Sequence, residues 1–344
     1  MPSINWNDTI NLLSKLTFRR IWNATKLVSS YYLSKWTRKP VQWGLPVSIS
    51  FEPTTSCNLR CPECPSGLRA FSRPIGNLKK GFFQETLDQL SGELLYLIFY
   101  FQGEPYLNTD FLEMVQYASK KGIYTASSTN AHYLTDQNAK KTIESGLDRL
   151  IISIDGTSQE VYEQYRVGGD LSKVVAGAKN LVKWKKRLRS RTPFIIFQFL
   201  VVRPNEHQLE SARKLAKTNG VDQIRFKTAQ IYDFENDPNH LIPLNAKYSR
   251  YHKPKGSRQV EINNALQNHC WRLWHTTVIT WDGMVVPCCF DKDAQHRMGD
   301  LKGKPFREIW QNSEYKHFRS LILESRKNID ICSNCSEGTK VWGD

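Results

Sequence analysis

The chain has 344 residues, 40% of them hydrophobic, and its formal net charge at pH 7 is +15. The hydrophobic content excludes an intrinsically disordered protein, and the length is sufficient for one large domain and a smaller one. No run of about eighteen apolar residues occurs, as a membrane-spanning helix would need, and residues 1–9 lack the apolar core of a secretory signal. Eight cysteines without such a signal indicate reduced thiols, so we expect a cytoplasmic protein. The basic excess favours acidic partners, such as nucleic acid, anionic lipid or phosphorylated substrates.

Residues 1–46 are predicted to form a separate basic, amphipathic segment. Its apolar residues recur at roughly helical spacing between lysines and arginines, and they are Leu12, Leu13, Leu16, Ile21, Trp22, Val28, Tyr31, Tyr32 and Trp36. Such a helix can lie on an anionic membrane, which would make residues 1–46 a peripheral membrane contact. It can equally pack across the open edge or the bottom of the domain that follows, and we favour packing.

From residue 47 to residue 231, strand and helix patterns alternate. Six strands are predicted, at Val47–Thr55, Leu94–Gln102, Ile123–Ser128, Arg149–Ile154, Phe194–Val202 and Gln223–Thr228. These repeats predict an α/β fold, a parallel sheet curved into a partial (β/α)6 barrel. Ligands of such sheets bind at the carboxyl ends of the strands. Residues 232–269 are polar and contain several prolines, so we expect a linker or a substrate-facing loop before a small C-terminal domain at 270–344.

Three cysteines follow the first predicted strand within eight residues. Cys57, Cys61 and Cys64 have the spacing C-x₃-C-x₂-C, and close thiolates suit a soft metal centre. A 4Fe–4S cluster held by three cysteines keeps one iron without a protein ligand. Part of a structural zinc site and part of a disulfide pattern are the alternatives. The spacing resembles the signature of radical S-adenosylmethionine (SAM) enzymes, in which the open iron binds the amino and carboxylate groups of SAM.

This resemblance extends to the ends of the following strands. Residues 102–105 read Gln-Gly-Glu-Pro and resemble the Gly-Gly-Glu motif of the family, which implies that Glu104 pairs with the amino group of SAM. The fourth strand leads into a segment similar to the SAM-binding segment of the SPASM/twitch group. That similarity implies that Ser153 and Asp155 lie near the ribose and methionine of SAM. It also implies that Arg166 meets the carboxylate, a task suited to a guanidinium group.

Four further positions near the same strand ends are open to more than one interpretation. Asn130 either lines the cleft or only forms a turn. Ile224 and Phe226 could contact adenine, although core packing explains them at least as well. Glu63 precedes the third cysteine, where the family usually has an aromatic residue against adenine, and a carboxylate cannot stack in that way.

The remaining five cysteines lie beyond residue 269 and are Cys270, Cys288, Cys289, Cys332 and Cys335. Their spacing resembles the shorter, one-cluster twitch form of a SPASM/twitch domain. The resemblance implies an auxiliary 4Fe–4S cluster held by Cys270, Cys288, Cys332 and Cys335. Cys289 is then the spare thiol, although the two adjacent cysteines could exchange roles. A structural Cys₄ zinc site is the alternative.

The resemblance implies an enzyme whose reduced cluster cleaves SAM to a 5′-deoxyadenosyl radical, which abstracts hydrogen from a substrate. We expect a small or carbohydrate-like substrate, with a phosphate or nucleotide group that would suit the basic surface, and an oxidation that uses the auxiliary cluster. An electron donor such as flavodoxin or ferredoxin would be required. The alternative is a radical maturase that modifies a peptide or protein. A non-catalytic iron–sulfur or zinc scaffold that binds nucleic acid is the rival from another class. The sequence assigns no catalytic acid or base.

Overall fold

The computed structural model describes residues 6–257 and 259–342. The chain starts with two helices, α1 (Trp6–Ser14) and α2 (Phe18–Thr37). The barrel region then contains β1 (Ser48–Phe51), α3 (Pro65–Leu68), α4 (Lys80–Asp88), β2 (Tyr96–Phe99), α5 (Phe111–Lys120), β3 (Tyr124–Thr129), α6 (Asp136–Glu144), β4 (Arg149–Ser153), α7 (Gln159–Tyr165), α8 (Leu171–Arg187), β5 (Phe194–Val201), α9 (Leu209–Asn219) and β6 (Gln223–Thr228).

The rest of the chain contains shorter elements. They are β7 (Tyr251–His252), β8 (Glu261–Ile262), α10 (Arg272–His275), β9 (Thr276–Ile279), β10 (Met284–Val286), β11 (Gly299–Asp300), α11 (Phe306–Trp310), α12 (Ser313–Ser325) and α13 (Asp330–Ser333). Strands β7 and β8 form a small antiparallel hairpin within the predicted linker. None of the described helices combines the length and the apolar character that crossing a membrane requires.

The six predicted strands form a parallel sheet in chain order, from β1 to β6. Strand β5 shows why the prediction succeeds. Its sequence, FIIFQFLV, is nearly continuous in apolar residues, as a strand covered on both faces requires. Gly122, Gly146 and Gly220 have φ angles of 66°, 75° and 67° and follow α5, α6 and α9, where a glycine in the left-handed conformation commonly ends a helix. The alternating α/β fold is therefore confirmed.

The C-terminal region is joined to the barrel sheet rather than packed beside it as a separate layer. Strand β9 pairs in parallel with β1, with Ser48 opposite Thr276, and β10 and β11 continue the sheet beyond it. The sheet thus has nine strands in the order β11-β10-β9-β1-β2-β3-β4-β5-β6. The physical reason is that β1 would otherwise present an unpaired row of backbone donors and acceptors at the sheet edge.

The N-terminal helices pack against the sheet at the end where the strands begin. Asp8 of α1 accepts hydrogen bonds from the side chains of Tyr124 and Arg149, at the first residues of β3 and β4. Arg20 of α2 is 4% exposed and donates to the carbonyl oxygen of Gly122 at 2.6 Å. The packing of residues 6–37 on the bottom of the barrel agrees with the expectation for this segment. The apolar set that the periodicity indicated is divided, because Tyr31 is 2% exposed and packs into the core, whereas Trp22 and Trp36 are 54% and 83% exposed.

Candidate active site

The three cysteines of the first motif lie in the loop after β1, at the carboxyl edge of the sheet. They line a cavity of about 170 Å³ together with residues from the ends of β2, β3 and β4. The other lining residues are Leu59, Gly67, Tyr100, Phe101, Gly103, Glu104, Ser128, Thr129, Asn130, Ser153 and Arg166. The loops are tied together by the backbone, since the amide of Glu104 donates to the carbonyl of Ser56 at 2.8 Å. The strand-end rule therefore located the cavity correctly.

The surroundings of Cys57 and Cys61 suit thiolate ligands. The Sγ atom of Cys57 accepts from the amide of Leu59 at 3.4 Å, and the Sγ atom of Cys61 lies 3.7 Å from a terminal nitrogen of Arg166. Burial raises the pKa of Cys57 to about 11, so the free thiol stays protonated at neutral pH. A coordinated thiol loses its proton to the metal instead. Hydrogen-bond donors and a guanidinium charge around the sulfurs fit a metal cluster at this position.

Glu104 lies immediately after β2 and is 2% exposed. Its carboxylate accepts from the Thr129 hydroxyl at 2.7 Å, from the Asn130 amide at 2.7 Å and from the Tyr106 amide at 3.3 Å. Burial raises the pKa of Glu104 to about 7, against the effect of these donors. The preceding Gly103 has a φ angle of 74°, and a Cβ atom there would lie 2.2 Å from the carbonyl oxygen of Thr54. The motif glycine is therefore required by the backbone.

Two of the three residues expected after the fourth strand reach the cavity, and Asp155 does not. Ser153 and Arg166 line it. Asp155 lies behind them, 1% exposed, where it accepts from the Nε atom of Arg166 at 2.5 Å and from the Leu200 amide at 2.6 Å. The carboxylate thus orients the guanidinium, whose other nitrogen faces Cys61. The roles of these three residues toward SAM stay proposals.

The ambiguous positions have definite contacts. The Asn130 side chain lines the cavity, donates to the side-chain oxygen of Asn58 at 2.7 Å and lies 3.9 Å from the Sγ atom of Cys57. The Phe226 ring lies 5.7 Å from that of Phe199, which favours the packing interpretation of Phe226. The Glu63 carboxylate accepts from the backbone amide of Tyr232 at 2.8 Å. That bond ties the cysteine loop to the start of the predicted linker.

The four cysteines expected at the auxiliary site line one small apolar cavity, and Cys289 is not among its lining residues. The Sγ atom of Cys289 instead lies 3.6 Å from a terminal nitrogen of Arg272. Arg326 is fully buried and donates to the Sγ atom of Cys335 at 3.1 Å, which fits a thiolate. Within the described residues no three His, Cys, Asp or Glu side chains converge as they would around one metal ion. The assignment of Cys270, Cys288, Cys332 and Cys335 as cluster ligands remains a proposal.

A group of charged residues lies between the two cysteine sites, and the sequence interpretation missed it. The Nζ atom of Lys292 lies 4.5 Å from the ring centre of Tyr232, and its electrostatic neighbours are Cys64, Cys289 and Glu63. It has no ion-pair partner in the described part of the chain. Burial lowers the pKa of this lysine, and its acidic neighbours oppose that effect.

Two arginines complete this group. Arg272 pairs with Glu337 at 2.7 Å, and Arg250 lies 3.7 Å from the same carboxylate. The Nε atom of Arg250 also donates to Thr228, the last residue of β6. We call Arg250, Arg272 and Lys292 the cationic group. Arg272 and Lys292 lie close to cysteines in the sequence, which was the available signal. Lysines and arginines are so common in this chain that this closeness did not identify them.

The fold and the two cysteine sites define a class, the iron–sulfur enzymes built on a parallel α/β barrel. Comparison with family models makes the assignment specific. The model of the radical SAM superfamily matches residues 51–224, and the iron-sulfur cluster-binding domain SPASM matches residues 270–336. The chain therefore belongs to the radical SAM superfamily and carries a C-terminal SPASM domain. Its cofactors are SAM, the iron–sulfur cluster that binds SAM, and auxiliary iron–sulfur cluster content in the SPASM domain.

Curated relatives cover most of the chain. An AdoMet-dependent heme synthase of Oleidesulfovibrio alaskensis is 32% identical over 307 residues, which cover 79% of this chain and 76% of that protein. A tungsten-containing aldehyde ferredoxin oxidoreductase cofactor-modifying protein of Pyrococcus furiosus is 26% identical, covering 84% of this chain and 86% of that protein. A PqqA peptide cyclase of Rhodopseudomonas palustris is 26% identical, covering 55% and 48%.

A solved structure supports the fold assignment. The structure of anSMEcpe with bound AdoMet matches with a TM-score of 0.62 at 19% identity, covering 86% of this chain and 88% of that one. At this identity the likeness concerns the fold. It agrees with the radical SAM barrel and the SPASM domain that the family models show, and the family assignment supports an enzyme rather than a non-catalytic scaffold.

Proposed function

We propose that this protein is a radical SAM maturase that modifies a peptide or protein. The names of its relatives include a peptide cyclase and a mycofactocin maturase, beside heme synthases and a cofactor-modifying protein. These names support the maturase alternative better than the oxidation of a small or carbohydrate-like molecule, which the sequence alone favoured.

The observation that carries the proposal is the likeness to relatives named for peptide maturation, a PqqA peptide cyclase at 26% identity and a mycofactocin maturase at 29%. The residues expected to bind SAM line the cavity at the cysteines, so the substrate would bind beside that cavity. Tyr232, an electrostatic neighbour of Cys64, is 48% exposed. A site that is open to solvent suits one segment of a longer chain.

The residues of the cavity have separate tasks in this proposal. Bound SAM and its cluster supply the radical chemistry that removes a hydrogen atom from the substrate. Ionised Glu104 accepts the amino group of SAM in a charge-assisted hydrogen bond. Arg166 faces the carboxylate of SAM, and Asp155 holds the guanidinium in that direction through its bond to Nε. Ser153 lines the same wall of the cavity.

The cationic group indicates a chemical property of the substrate. Lys292 lies close to residues of both cysteine sites, and its charge lacks an ion-pair partner among the described residues. Arg272 and Arg250 both lie close to the carboxylate of Glu337. An acidic side chain or a carboxyl terminus of the peptide would neutralise the charge of Lys292.

Deuterium transfer tests the size of the substrate and does not require its identity. The source organism, with this gene deleted, is grown in deuterated medium, and its extract is divided by dialysis into macromolecules and small molecules. Each fraction is incubated anaerobically with the reconstituted protein, SAM and dithionite, and the released 5′-deoxyadenosine is analysed by mass spectrometry. The Cys57→Ala variant is the control.

We expect deuterium in 5′-deoxyadenosine only with the macromolecular fraction, and loss of the label after that fraction is digested with protease. Label that comes only from the dialysed small molecules would overturn the maturase proposal and would support small-molecule oxidation.

A further inference from the structure

The two N-terminal helices present an apolar face to solvent. On α1, Trp6, Ile10 and Leu13 are 70%, 59% and 55% exposed. On α2, the large exposed side chains follow helical spacing along one stripe. They are Phe18 at 85%, Trp22 at 54%, Tyr32 at 52% and Trp36 at 83%. No other part of the described chain exposes so many large apolar side chains on neighbouring helices.

The orientation of α1 is the reverse of an ordinary surface helix, whose apolar side faces the core. The side of α1 that contacts the barrel is polar. Asp8 binds the side chains of Tyr124 and Arg149, and Asn11 donates to the carboxylate of Asp148 at 2.8 Å. Because Asp8 is buried in these contacts, the helix is fixed in this orientation. The apolar side is therefore held outward by the fold.

The charge next to the apolar stripe is positive. Residues 18–39 contain six lysines and arginines and no acidic residue. Arg19 pairs with Glu93, and Arg20 is buried, which leaves Lys26, Lys35, Arg38 and Lys39 along the helix and its end. The ammonium of Lys26 lies 5.6 Å from the ring centre of Trp22. Aromatic side chains that adjoin lysines are typical of helices that lie in the headgroup region of an anionic membrane.

We propose that α1 and α2 form a docking surface for anionic lipid bilayers. We call this surface, defined by Trp6, Ile10, Leu13, Phe18, Trp22, Tyr32 and Trp36, the aromatic face. The helices would lie parallel to the membrane with the aromatic face among the headgroups and the lysines against lipid phosphates. A bilayer matches this surface better than a protein partner does, because lysines and arginines adjoin the aromatic side chains along α2 and residues 18–39 contain no acidic residue.

The position of the aromatic face agrees with catalysis at a membrane surface. Asp8 of α1 contacts Tyr124 and Arg149, the first residues of β3 and β4, and Arg20 of α2 donates to the carbonyl oxygen of Gly122, just before β3. The cysteines and Glu104 lie at the opposite, carboxyl ends of the strands. Docking would therefore leave the candidate active site open to solvent. This inference is independent of the proposed maturase function.

Vesicle flotation tests the proposal with the full-length reconstituted protein. Vesicles of phosphatidylcholine alone are compared with vesicles that also contain phosphatidylglycerol, at low and high salt. The test variant is Phe18→Ser/Trp36→Ser, which changes two side chains that are 85% and 83% exposed and so spares the core. The control variant is Ile75→Ser/Leu244→Ser, with side chains 71% and 76% exposed elsewhere. Iron content and circular dichroism check that both variants are folded.

We expect the wild type and the control variant to float with anionic vesicles, less so at high salt, and the test variant to lose most of this binding. Two results would overturn the proposal. One is the absence of wild-type binding to anionic vesicles, and the other is unchanged binding of the folded test variant. Light scattering in the same samples tests the alternative that a second copy of the chain covers the aromatic face. If the aromatic face joins two copies of the chain, the wild type is dimeric, the test variant is monomeric and neither binds vesicles.

Discussion

Replacement of Glu104 by glutamine isolates the charge that the site offers to SAM. The carboxylate accepts hydrogen bonds from Thr129, Asn130 and Tyr106. A glutamine amide can keep its oxygen toward the Asn130 amide and its nitrogen toward Thr129, because a hydroxyl can turn to accept, and it loses only the long 3.3 Å bond from the Tyr106 amide. The variant should therefore fold. What it loses is the negative charge, and a hydrogen bond to a charged group contributes about 1.5–3 kcal/mol. We expect the Kd for SAM to rise roughly 10- to 150-fold.

The assay is anaerobic calorimetry of SAM binding, with Glu113→Gln, an exposed carboxylate on α5, as the control. Burial raises the pKa of Glu104 to about 7, so its carboxyl group is mostly protonated below that pH and ionised above it. Wild-type affinity for SAM should therefore increase as the pH rises through 7, whereas the glutamine variant should lack this dependence. An unchanged Kd in a variant that keeps its iron would remove Glu104 from the SAM site.

Three further predictions concern the loops and the auxiliary site. Arg73→Ala removes the ion-pair partner, at 2.5 Å, of the fully buried Glu52. Urea denaturation should therefore show that the free energy of unfolding falls by roughly 3–5 kcal/mol. A loss near zero would contradict the argument that an unpaired buried carboxylate is costly. Cys289→Ala should retain all its iron while Cys288→Ala loses about four atoms per chain, and the opposite pattern would exchange their roles. Cys332→Ala should still release 5′-deoxyadenosine, because Cys332 lines the auxiliary cavity and not the SAM cavity. A folded variant that cannot cleave SAM would argue against separate roles for the two cysteine sites.

The barrel was predictable because its signals are local. Strand β6 has the same bounds in the sequence prediction and in the structure, Gln223–Thr228. The convergence of Cys57, Glu104 and Ser153 on one cavity followed from the rule that parallel strands end at a common edge. Strand β9 was not predicted, because it has only four residues and its partner β1 lies more than two hundred residues earlier in the chain.

Contacts between distant polar residues were beyond the sequence. The helical spacing of residues 12–36 indicated an amphipathic segment, but it could not show which side faces the barrel. The buried bonds of Asp8 decide that orientation, and their partners lie more than one hundred residues away. Lys292 and Arg272 were missed for a similar reason. Their importance comes from their positions between the two cysteine sites, and no local pattern distinguishes them among the 48 lysines and arginines of the chain.

Iron content and SAM cleavage in the Cys57→Ala/Cys61→Ala/Cys64→Ala variant test the central claim most directly. The claim is that these three cysteines hold the cluster that cleaves SAM, and that a separate cluster lies in the SPASM domain. The anaerobically reconstituted wild type should carry about eight irons and release 5′-deoxyadenosine with dithionite and SAM, and the variant should keep about four irons and release none. A folded triple variant that retains all its iron, or that still cleaves SAM, would contradict the account.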